Sequence, residues 1–430
     1  MVYRCLWVMV MPLVLLRLWW RGRRQPAYRQ QWRERLGCVD VTAPVDVWWH
    51  AVSVGEVVAS VPTLKALQAR FPALRVWVTV STPTGRQTVQ DRLPDLTCFS
   101  YAPMDQTGCV QRFLKRIQPS LIVVMETEVW PEWLCQAERR GIPVVLANAR
   151  LSEKSCRGYA RLGWFTRKVL QRFATVGAQS PADAERFVRL GCDAACVSVM
   201  GNLKFDMPAP VEAREKGLAL RDAWGARLVW LAASTHLGED ELVLAAHAEI
   251  LKHLPDSLLV LVPRHADRFD AVAQLVERSA FHLVRRSHQG TVVAETQVYL
   301  GDTMGELLVF MSACSVVFVG GSLIPHGGHN LLEPVLCGAP VLTGPYTHNF
   351  MHIHHLLETQ GAIRTVHSST QLARSVLDLW ASDETRRQLV SAGKQVLLEN
   401  QGATERLLRL IRDYLHLRDH LHRVPTGLNP

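Results

Sequence analysis

Paired cysteines, which build zinc sites and disulfide frameworks, are missing from this sequence. Its ten cysteines are scattered, no two have CxxC spacing, and the closest two are Cys192 and Cys196. A zinc or disulfide framework is therefore disfavoured, and a reducing cytoplasm is indicated. A histidine group at His352, His354 and His355 is interpreted as a solvated helix face, with a metal site as the alternative.

Signature motifs of several enzyme classes are also missing. There is no G-x-S-x-G elbow, which argues against an α/β-hydrolase, and there is no Walker A motif. No DxD pair occurs, so a metal ion bound to a diphosphate substrate would have no obvious ligands. We therefore expect neither a metal nor a cofactor.

Length and composition are those of a globular protein with more than one core. The chain has 430 residues, of which 48% are hydrophobic and 20% are charged, and it contains no low-complexity tract. This length suits two domains. The net charge of +9 suggests an anionic partner, such as a phosphorylated substrate, a lipid headgroup or a nucleic acid. Basic strands with interleaved aromatic residues are absent, so we expect no nucleic acid among the partners.

The N-terminus carries an apolar segment followed by a run of arginines. The segment 5–20, CLWVMVMPLVLLRLWW, is interrupted by Pro12 and Arg17. A signal peptide would carry its charge before the apolar core, whereas most of the charge here follows it. Tryptophan beside arginine suits a membrane–water interface, so we predict a membrane anchor over 1–36, with a buried core helix as the alternative. The arginines that follow the segment are Arg21, Arg23, Arg24, Arg29, Arg33 and Arg35.

Short apolar runs alternate with helical patterns in both halves of the chain. This alternation predicts an α/β fold of two Rossmann-like, doubly wound parallel sheets that face a central cleft. A segment near 206–212, rich in proline and charge, reads as the linker. The predicted domains are 37–206 and 207–430, with the last helices as candidates for packing back on the N-terminal domain. The predicted strands are 45–50, 75–81, 121–126, 143–148, 196–202, 228–234, 258–263, 297–301, 316–321 and 340–344.

Polar side chains follow several of the predicted strands. Glu56, Glu126 and Glu128 follow strands of the first half, Lys204 follows the last of them, and Arg264 follows a strand of the second half. Each has an ordinary alternative: a helix-start charge favoured by the helix dipole, or a surface charge. Taken together they favour group transfer, because a carboxylate can accept a proton while lysine, arginine and helix starts stabilise a leaving phosphate. Glu56 is the best-placed base.

Distinctive sequence blocks follow one another along the chain: HAVSVGE, STPTGRQ, METEVWPE, ANARLSEKS, GNLKFD, STHLGED, VPRHADRF, GDTMGEL, FVGGSL, GGHNLLEP and ENQGA. These ordered blocks resemble those of the 3-deoxy-D-manno-octulosonic acid (Kdo) transferases of lipopolysaccharide synthesis. The resemblance implies a GT-B fold and an inverting, metal-independent glycosyl transfer from CMP-Kdo. The implied acceptor is the 6′-hydroxyl of the lipid A precursor lipid IVA, among membrane lipids on the cytoplasmic side of the cell inner membrane.

The family pattern also implies roles for individual residues. Glu56 would accept the proton, and Glu126 and Lys204 would stabilise the transition state. Leu331 stands where the family pattern has proline, a residue suited to a first helical turn, so a modest effect on loop rigidity is expected. The alternative is another GT-B enzyme that uses a UDP-sugar and a membrane-bound acceptor. The implied CMP contacts are Pro263, Arg264, Met304, Gly305, Glu306, Asn330, Leu331, Leu332 and Glu333.

The amino-acid sequence alone leaves two questions open. A helix start lowers the pKa of Glu56 and weakens it as a base, whereas burial raises that pKa. The stretch 154–172 is basic, contains no acidic residue and has apolar residues interspersed. It is typical of an interfacial helix that meets anionic headgroups, and the alternative is a helix packed on its sheet with a solvated basic face.

Overall fold

The computed structural model describes residues 2–23 and 25–422. Met1, Arg24 and 423–430, which fall in the predicted anchor and C-terminal domain, lie outside the described residues. The described chain forms two compact units. The first comprises 2–207 and 400–422, and the second comprises 208–399.

The first unit is built on a seven-stranded parallel sheet with the order β3-β2-β1-β4-β5-β6-β7. Consecutive tryptophans in its central strand β1 explain how both faces are covered, because successive side chains of a strand point to opposite faces. Trp48 packs with Phe113 and Trp133 on one face, whereas Trp49 belongs to the core on the other. The strands are β1 (Val47–His50), β2 (Val76–Val80), β3 (Phe99–Tyr101), β4 (Leu121–Met125), β5 (Val144–Ala149), β6 (Thr175–Ala178) and β7 (Val197–Val199).

Helices cover both faces of this sheet, and the last helix of the chain is one of them. Leu407 and Ile411 of that C-terminal helix, α18, share a core with Leu64 and Leu67. The C-terminal helix α18 therefore packs on the sheet of the first unit. The helices are α1 (Val2–Arg21), α2 (Trp32–Arg35), α3 (Val54–Arg70), α4 (Pro83–Arg92), α5 (Thr107–Ile117), α6 (Pro131–Glu138), α7 (Glu153–Ala160), α8 (Trp164–Leu170), α9 (Pro181–Arg189) and α18 (Ala403–His422).

The second unit has its own seven-stranded parallel sheet, with the order β10-β11-β9-β8-β12-β13-β14. Trp230 and Phe318 are fully buried in its core. The strands are β8 (Val229–Thr235), β9 (Leu258–Pro263), β10 (Leu283–Arg285), β11 (Val298–Leu300), β12 (Val316–Val319), β13 (Val341–Thr343) and β14 (Ile363–Thr365). The helices are α10 (Val211–Trp224), α11 (Asp240–His253), α12 (Phe269–Arg278), α13 (Leu307–Ala313), α14 (Leu332–Cys337), α15 (Met351–Thr359), α16 (Ser369–Ala381) and α17 (Asp383–Asn400).

The N-terminal helix α1 is the exposed apolar helix expected of an anchor. Its segment Tyr3–Arg21 is long and apolar enough to cross a membrane, and none of it is buried, so the alternative of a buried core helix is wrong. Its first turn is attached to the first unit. The Tyr3 hydroxyl donates to the Asp105 carboxylate, and Arg4 Nε lies 2.8 Å from Glu132 Oε2.

The basic stretch 154–172 departs from its prediction as one interfacial helix. It forms two short helices, α7 and α8, because Gly163 adopts φ +50 between them. Val169 and Leu170 are buried in the core, whereas Leu162 and Trp164 are exposed at the turn. The apolar surface of this stretch is therefore concentrated at one tip.

Candidate active site

Two carboxylates of the first unit lie at the point where the order of its strands reverses. Strands β1 and β4 are neighbours in the middle of the sheet, with β2 and β3 on one side and β5 to β7 on the other. In open parallel sheets, ligands bind beyond the carboxyl ends of the strands at this switch point. Glu56 lies in the first turn of α3, after β1, and Glu126 directly follows β4. Glu126 has φ +56, an uncommon conformation for a residue other than glycine.

Glu56 is buried, with 8% of its surface exposed. The Val52 backbone N–H donates to its Oε2 at 2.8 Å, and the Ser53 hydroxyl donates to its Oε1 at 3.2 Å. Burial nevertheless raises the pKa of Glu56 to about 8, and the nearby carboxylates of Glu126 and Glu128 act in the same direction. Desolvation thus outweighs the two hydrogen bonds that lower the pKa of Glu56.

Lys204 joins this carboxylate group from the other half of the sheet. Its Nζ lies 3.8 Å from Glu126 Oε1, and both side chains are about three-quarters buried. Burial also raises the pKa of Glu128. The structure therefore brings Glu56, Glu126, Glu128 and Lys204 into one site, which combines a basic carboxylate with a positive charge.

The backbone around Lys204 is held by contacts that the sequence did not reveal. It lies in a short 3₁₀ turn, Leu203–Asp206, whose first N–H donates to Asn148 Oδ1 at 3.1 Å. Asp206 accepts hydrogen bonds from the backbone N–H groups of Gly402, at 2.7 Å, and Thr404. The N-terminus of α18 thereby fixes the turn that carries the lysine. Asn148 is the penultimate residue of β5 and belongs to the ANAR block, which is the one signal that could have pointed to it.

In the second unit, the residues proposed to contact CMP also follow strands. Arg264 is exposed directly after β9, and its backbone N–H donates to Thr235 O at 3.0 Å. Met304 is exposed and precedes Gly305, which has φ +86. Arg286 binds both carboxylate oxygens of Glu306, at 2.7 and 3.1 Å, and lowers the pKa of Glu306. Pro263 is the last residue of β9.

The segment 330–333 is arranged by the side chain of Asn330. Its Oδ1 accepts from the Leu332 N–H at 3.2 Å, and its Nδ2 donates to Glu333 Oε1 at 3.2 Å. Leu331 and Leu332 are buried. The leucine that replaces the family proline therefore contributes to the core of the second unit, and a ligand would meet the backbone at these two positions.

Two Rossmann-like units with helices on their sheets define a protein of the GT-B class. UDP-GlcNAc 2-epimerase from Neisseria meningitidis is 16% identical, aligns over 86% of this chain and 100% of its own, and gives a TM-score of 0.59. That likeness shows the fold. The family model of 3-deoxy-D-manno-octulosonic-acid transferase matches residues 30–207.

Curated relatives match almost the whole chain. The 3-deoxy-D-manno-octulosonic acid transferase of Haemophilus influenzae is 39% identical over 96% of this chain and 98% of its own. That of Bordetella pertussis is 34% identical over 94% and 96%. The chain belongs to the 3-deoxy-D-manno-octulosonic acid transferase family, so the resemblance carried by its sequence blocks is confirmed.

Proposed function

We propose that this protein transfers Kdo from CMP-Kdo to the 6′-hydroxyl of lipid IVA in lipopolysaccharide synthesis. The observation that carries the proposal is the buried Glu56 beside Glu126 and Lys204, in a chain 39% identical to a Kdo transferase over nearly its full length. The residues of 263–264, 304–306 and 330–333 would hold the CMP portion of the donor.

Glu56 is the general base of the proposed reaction. The acceptor hydroxyl oxygen attacks the anomeric carbon of Kdo while the bond from that carbon to the phosphate oxygen breaks. The bonding electron pair leaves with CMP, and the hydroxyl proton passes to the Glu56 carboxylate. A single displacement of this kind inverts the anomeric configuration. A pKa of about 8 makes Glu56 a stronger base than an ordinary carboxylate.

Lys204 and Glu126 stabilise charge during this transfer. A fixed ammonium group stabilises negative charge most strongly in a partly desolvated site. The backbone of Lys204 is fixed because its turn is hydrogen-bonded to the residues at the start of α18. Arg264 offers a further positive charge to the phosphate of the donor. In this account protein groups offset the charge of the leaving phosphate, with no metal or cofactor.

The acceptor is a lipid, so the protein is proposed to work at the cytoplasmic side of the inner membrane. The exposed apolar residues of α1 include Leu6, Met9, Leu13 and Trp20, and Trp164 of α8 is 74% exposed. Tyr3 at the start of α1 lies 6.0 Å from Phe165, measured between ring centroids. These side chains and the basic residues around Trp164 suit a bilayer with anionic headgroups.

The attachments of α1 favour a helix that lies in the membrane surface. Tyr3 and Arg4 are bound to the first unit at one end, and Arg35, soon after the other end, donates to Ser81 O at 3.2 Å. A helix that crossed the bilayer would place its two ends on opposite sides, whereas the attachments before and after α1 are both on the first unit. An in-plane helix should let the protein be released from membranes by alkaline carbonate. Retention in the carbonate pellet would show that α1 crosses the membrane.

The proposal is tested by the variant Glu56→Gln, with Glu185→Gln on the exposed face of α9 as the matched control. Loss of a general base typically reduces turnover by roughly 10²–10⁴-fold, and CMP binding should be retained. The control should transfer Kdo at the wild-type rate. Near wild-type turnover of Glu56→Gln would show that Glu56 is not the general base. Competition by CMP against UDP in the same assay separates a CMP-sugar donor from the alternative UDP-sugar donor.

A further inference from the structure

Four histidines converge at the switch point of the second sheet. His236 follows β8, His265 follows β9, and His326 and His329 lie in the loop after β12. Strand β8 lies between β9 and β12 in the sheet, so their carboxyl ends are side by side. His236 Nε2 lies 2.8 Å from His329 Nε2. The ring centroid of His236 lies 3.6 Å from that of His326 and 5.4 Å from that of His265.

The loop that follows β12 leaves room for the histidine rings at Gly321. Gly321 has φ +66, and a Cβ there would lie 3.1 Å from the His329 ring and 3.3 Å from the His236 ring. A side chain at this position would therefore crowd the rings. The Glu239 carboxylate accepts the backbone N–H groups of Gly321, Ser322 at 3.0 Å and Leu323 at 2.9 Å, which fixes the loop.

Positive charge faces the cluster from the end of β9. Arg264 and Arg268 both act on His236, and Arg264 also acts on His329. Arg268 is itself paired with Asp240, whereas Glu239 is engaged by the loop. Burial, the neighbouring rings and these arginines lower the pKa of His236 to about 4 and that of His329 to about 3. Both rings are therefore neutral at physiological pH.

We propose that this histidine cluster binds an anionic oxygen group of the donor, either its phosphate or the carboxylate of its acidic sugar, and takes up a proton on binding. The donor identity rests on the proposed function, whereas the anion site rests on the cluster itself. Ring nitrogens of the cluster and the guanidinium of Arg264 lie around one place, and an anion there favours the imidazolium form.

A metal ion fits this cluster less well. One nitrogen from each of His236, His326 and His329 lies within 4.8 Å of the others, as metal ligands would. However, the 2.8 Å between His236 and His329 is a hydrogen-bond distance. Tetrahedral zinc with Zn–N bonds of about 2.0–2.1 Å would separate the nitrogens by about 3.3 Å. The positive charge of Arg264 also disfavours a cation and favours an anion.

The test is calorimetric titration at pH 7.5 in Tris and in HEPES, whose ionisation heats differ, with CMP, cytidine, free Kdo and inorganic phosphate as probes. At this pH the phosphate of CMP is almost fully ionised, since its second pKa is about 6, so proton uptake reports the protein. The variants are His326→Gln, whose ring is exposed, and His329→Gln. His253→Gln, an exposed histidine of α11, is the matched control.

Wild-type protein and the control should take up protons as an anion binds. The variants should lose that uptake and bind the anion about tenfold to a hundredfold more weakly, the range for a lost charge-assisted hydrogen bond. Weaker CMP and phosphate binding with unchanged cytidine binding would assign the phosphate, and weaker Kdo binding alone would assign the carboxylate.

Unchanged anion affinities in both variants would overturn the proposal. So would zinc that is retained through EDTA dialysis by the wild type and lost in the variants. If the wild type binds phosphate but neither CMP nor Kdo, the proposed donor is wrong, and the phosphate titrations still decide the role of the cluster.

Discussion

Lys204 Nζ lies 3.8 Å from Glu126 Oε1, and Glu126 in turn raises the pKa of Glu56. The lysine and the candidate base are thus coupled through one intervening carboxylate. At this separation two opposite charges attract each other by about 4 kcal/mol at an effective dielectric constant of 20. The attraction between Lys204 and Glu126 therefore contributes strongly to the electrostatics of this largely buried site. Removing the lysine charge would leave Glu126 and Glu56 as two like charges in one site.

Lys204→Met should therefore reduce turnover by roughly 10²-fold or more, the size of effect seen when one stabilising group is removed from a preorganised site. Steady-state kinetics with purified enzyme would measure it. Lys252→Met, an exposed lysine paired with Glu249, is the matched control and should keep wild-type kinetics. Equal kcat values for Lys204→Met and the control would show that Lys204 does not contribute to catalysis.

The rate of transfer should rise with pH. Glu56 accepts a proton only when it is ionised, and its pKa is raised to about 8 by burial. The logarithm of kcat/KM should therefore increase through pH 6–8 and level off above the pKa, and Glu56→Gln should lack this rise. A pH–rate profile over pH 5–10 measures it. A rate that is already flat from pH 5 upward, as an ordinary glutamate with a pKa of about 4.3 would give, would contradict the assignment of Glu56 as a buried base.

Glu56 should also destabilise the fold as pH increases. The folded protein keeps this carboxyl protonated up to about pH 8, whereas the unfolded chain releases the proton near the model value of 4.5. Because the folded state binds more protons in this window, the free energy of unfolding falls as pH rises from 4.5 to 8. Glu56→Gln should melt higher than wild type at pH 8.5, by roughly 2–4 °C for about 1 kcal/mol.

The melting difference between Glu56→Gln and wild type should shrink towards zero at pH 4.5, where the carboxyl is protonated in the folded protein and increasingly in the unfolded one. Thermal melts at the two pH values measure it. A variant less stable than wild type at pH 8.5 would show that the Glu56 carboxylate stabilises the fold, contrary to its raised pKa.

The basic tip around α8 should bind the lipid acceptor. Arg161, Arg167 and Lys168 are exposed beside Trp164, and we expect them to contact the phosphates of the lipid. Replacing these three cations by glutamine should raise the acceptor KM and weaken binding to anionic liposomes, with CMP affinity unchanged. Replacing Arg214, Arg278 and Lys394 of the second unit by glutamine gives a charge-matched control. Wild-type liposome binding by the triple variant would show that the acceptor docks elsewhere.

The central strands could be predicted because they are buried on both faces and read as continuous apolar runs, as in 121–126 and 258–263. Among the strands that the sequence did not reveal, β3, β10 and β14 have three residues each and lie at sheet edges, whereas β6 has four residues and lies inside the first sheet. Edge strands are short and need fewer apolar residues, so their sequence pattern is weak. The strand predicted at 196–202 shortens to β7 at another edge for the same reason.

The site was only partly predictable for a related reason. Glu56, Glu126 and Lys204 could be placed because each follows a recognisable strand of the first unit. The pKa of Glu56 depends on burial by the packed fold, which no local pattern records. His236, His265 and His329 are brought together by strand order, whereas the local group of His352, His354 and His355 lies on α15, where His354 bonds Thr365 at 3.1 Å.

The most direct test of the account is the product formed when purified protein is incubated with CMP-Kdo and lipid IVA in EDTA-containing buffer and analysed by mass spectrometry. We expect lipid IVA to gain one or more Kdo units, the number being read from the mass. Glu56→Gln should leave the lipid unmodified over the same time. Unmodified lipid with the wild-type protein, together with sugar transfer from a UDP-sugar, would contradict the account.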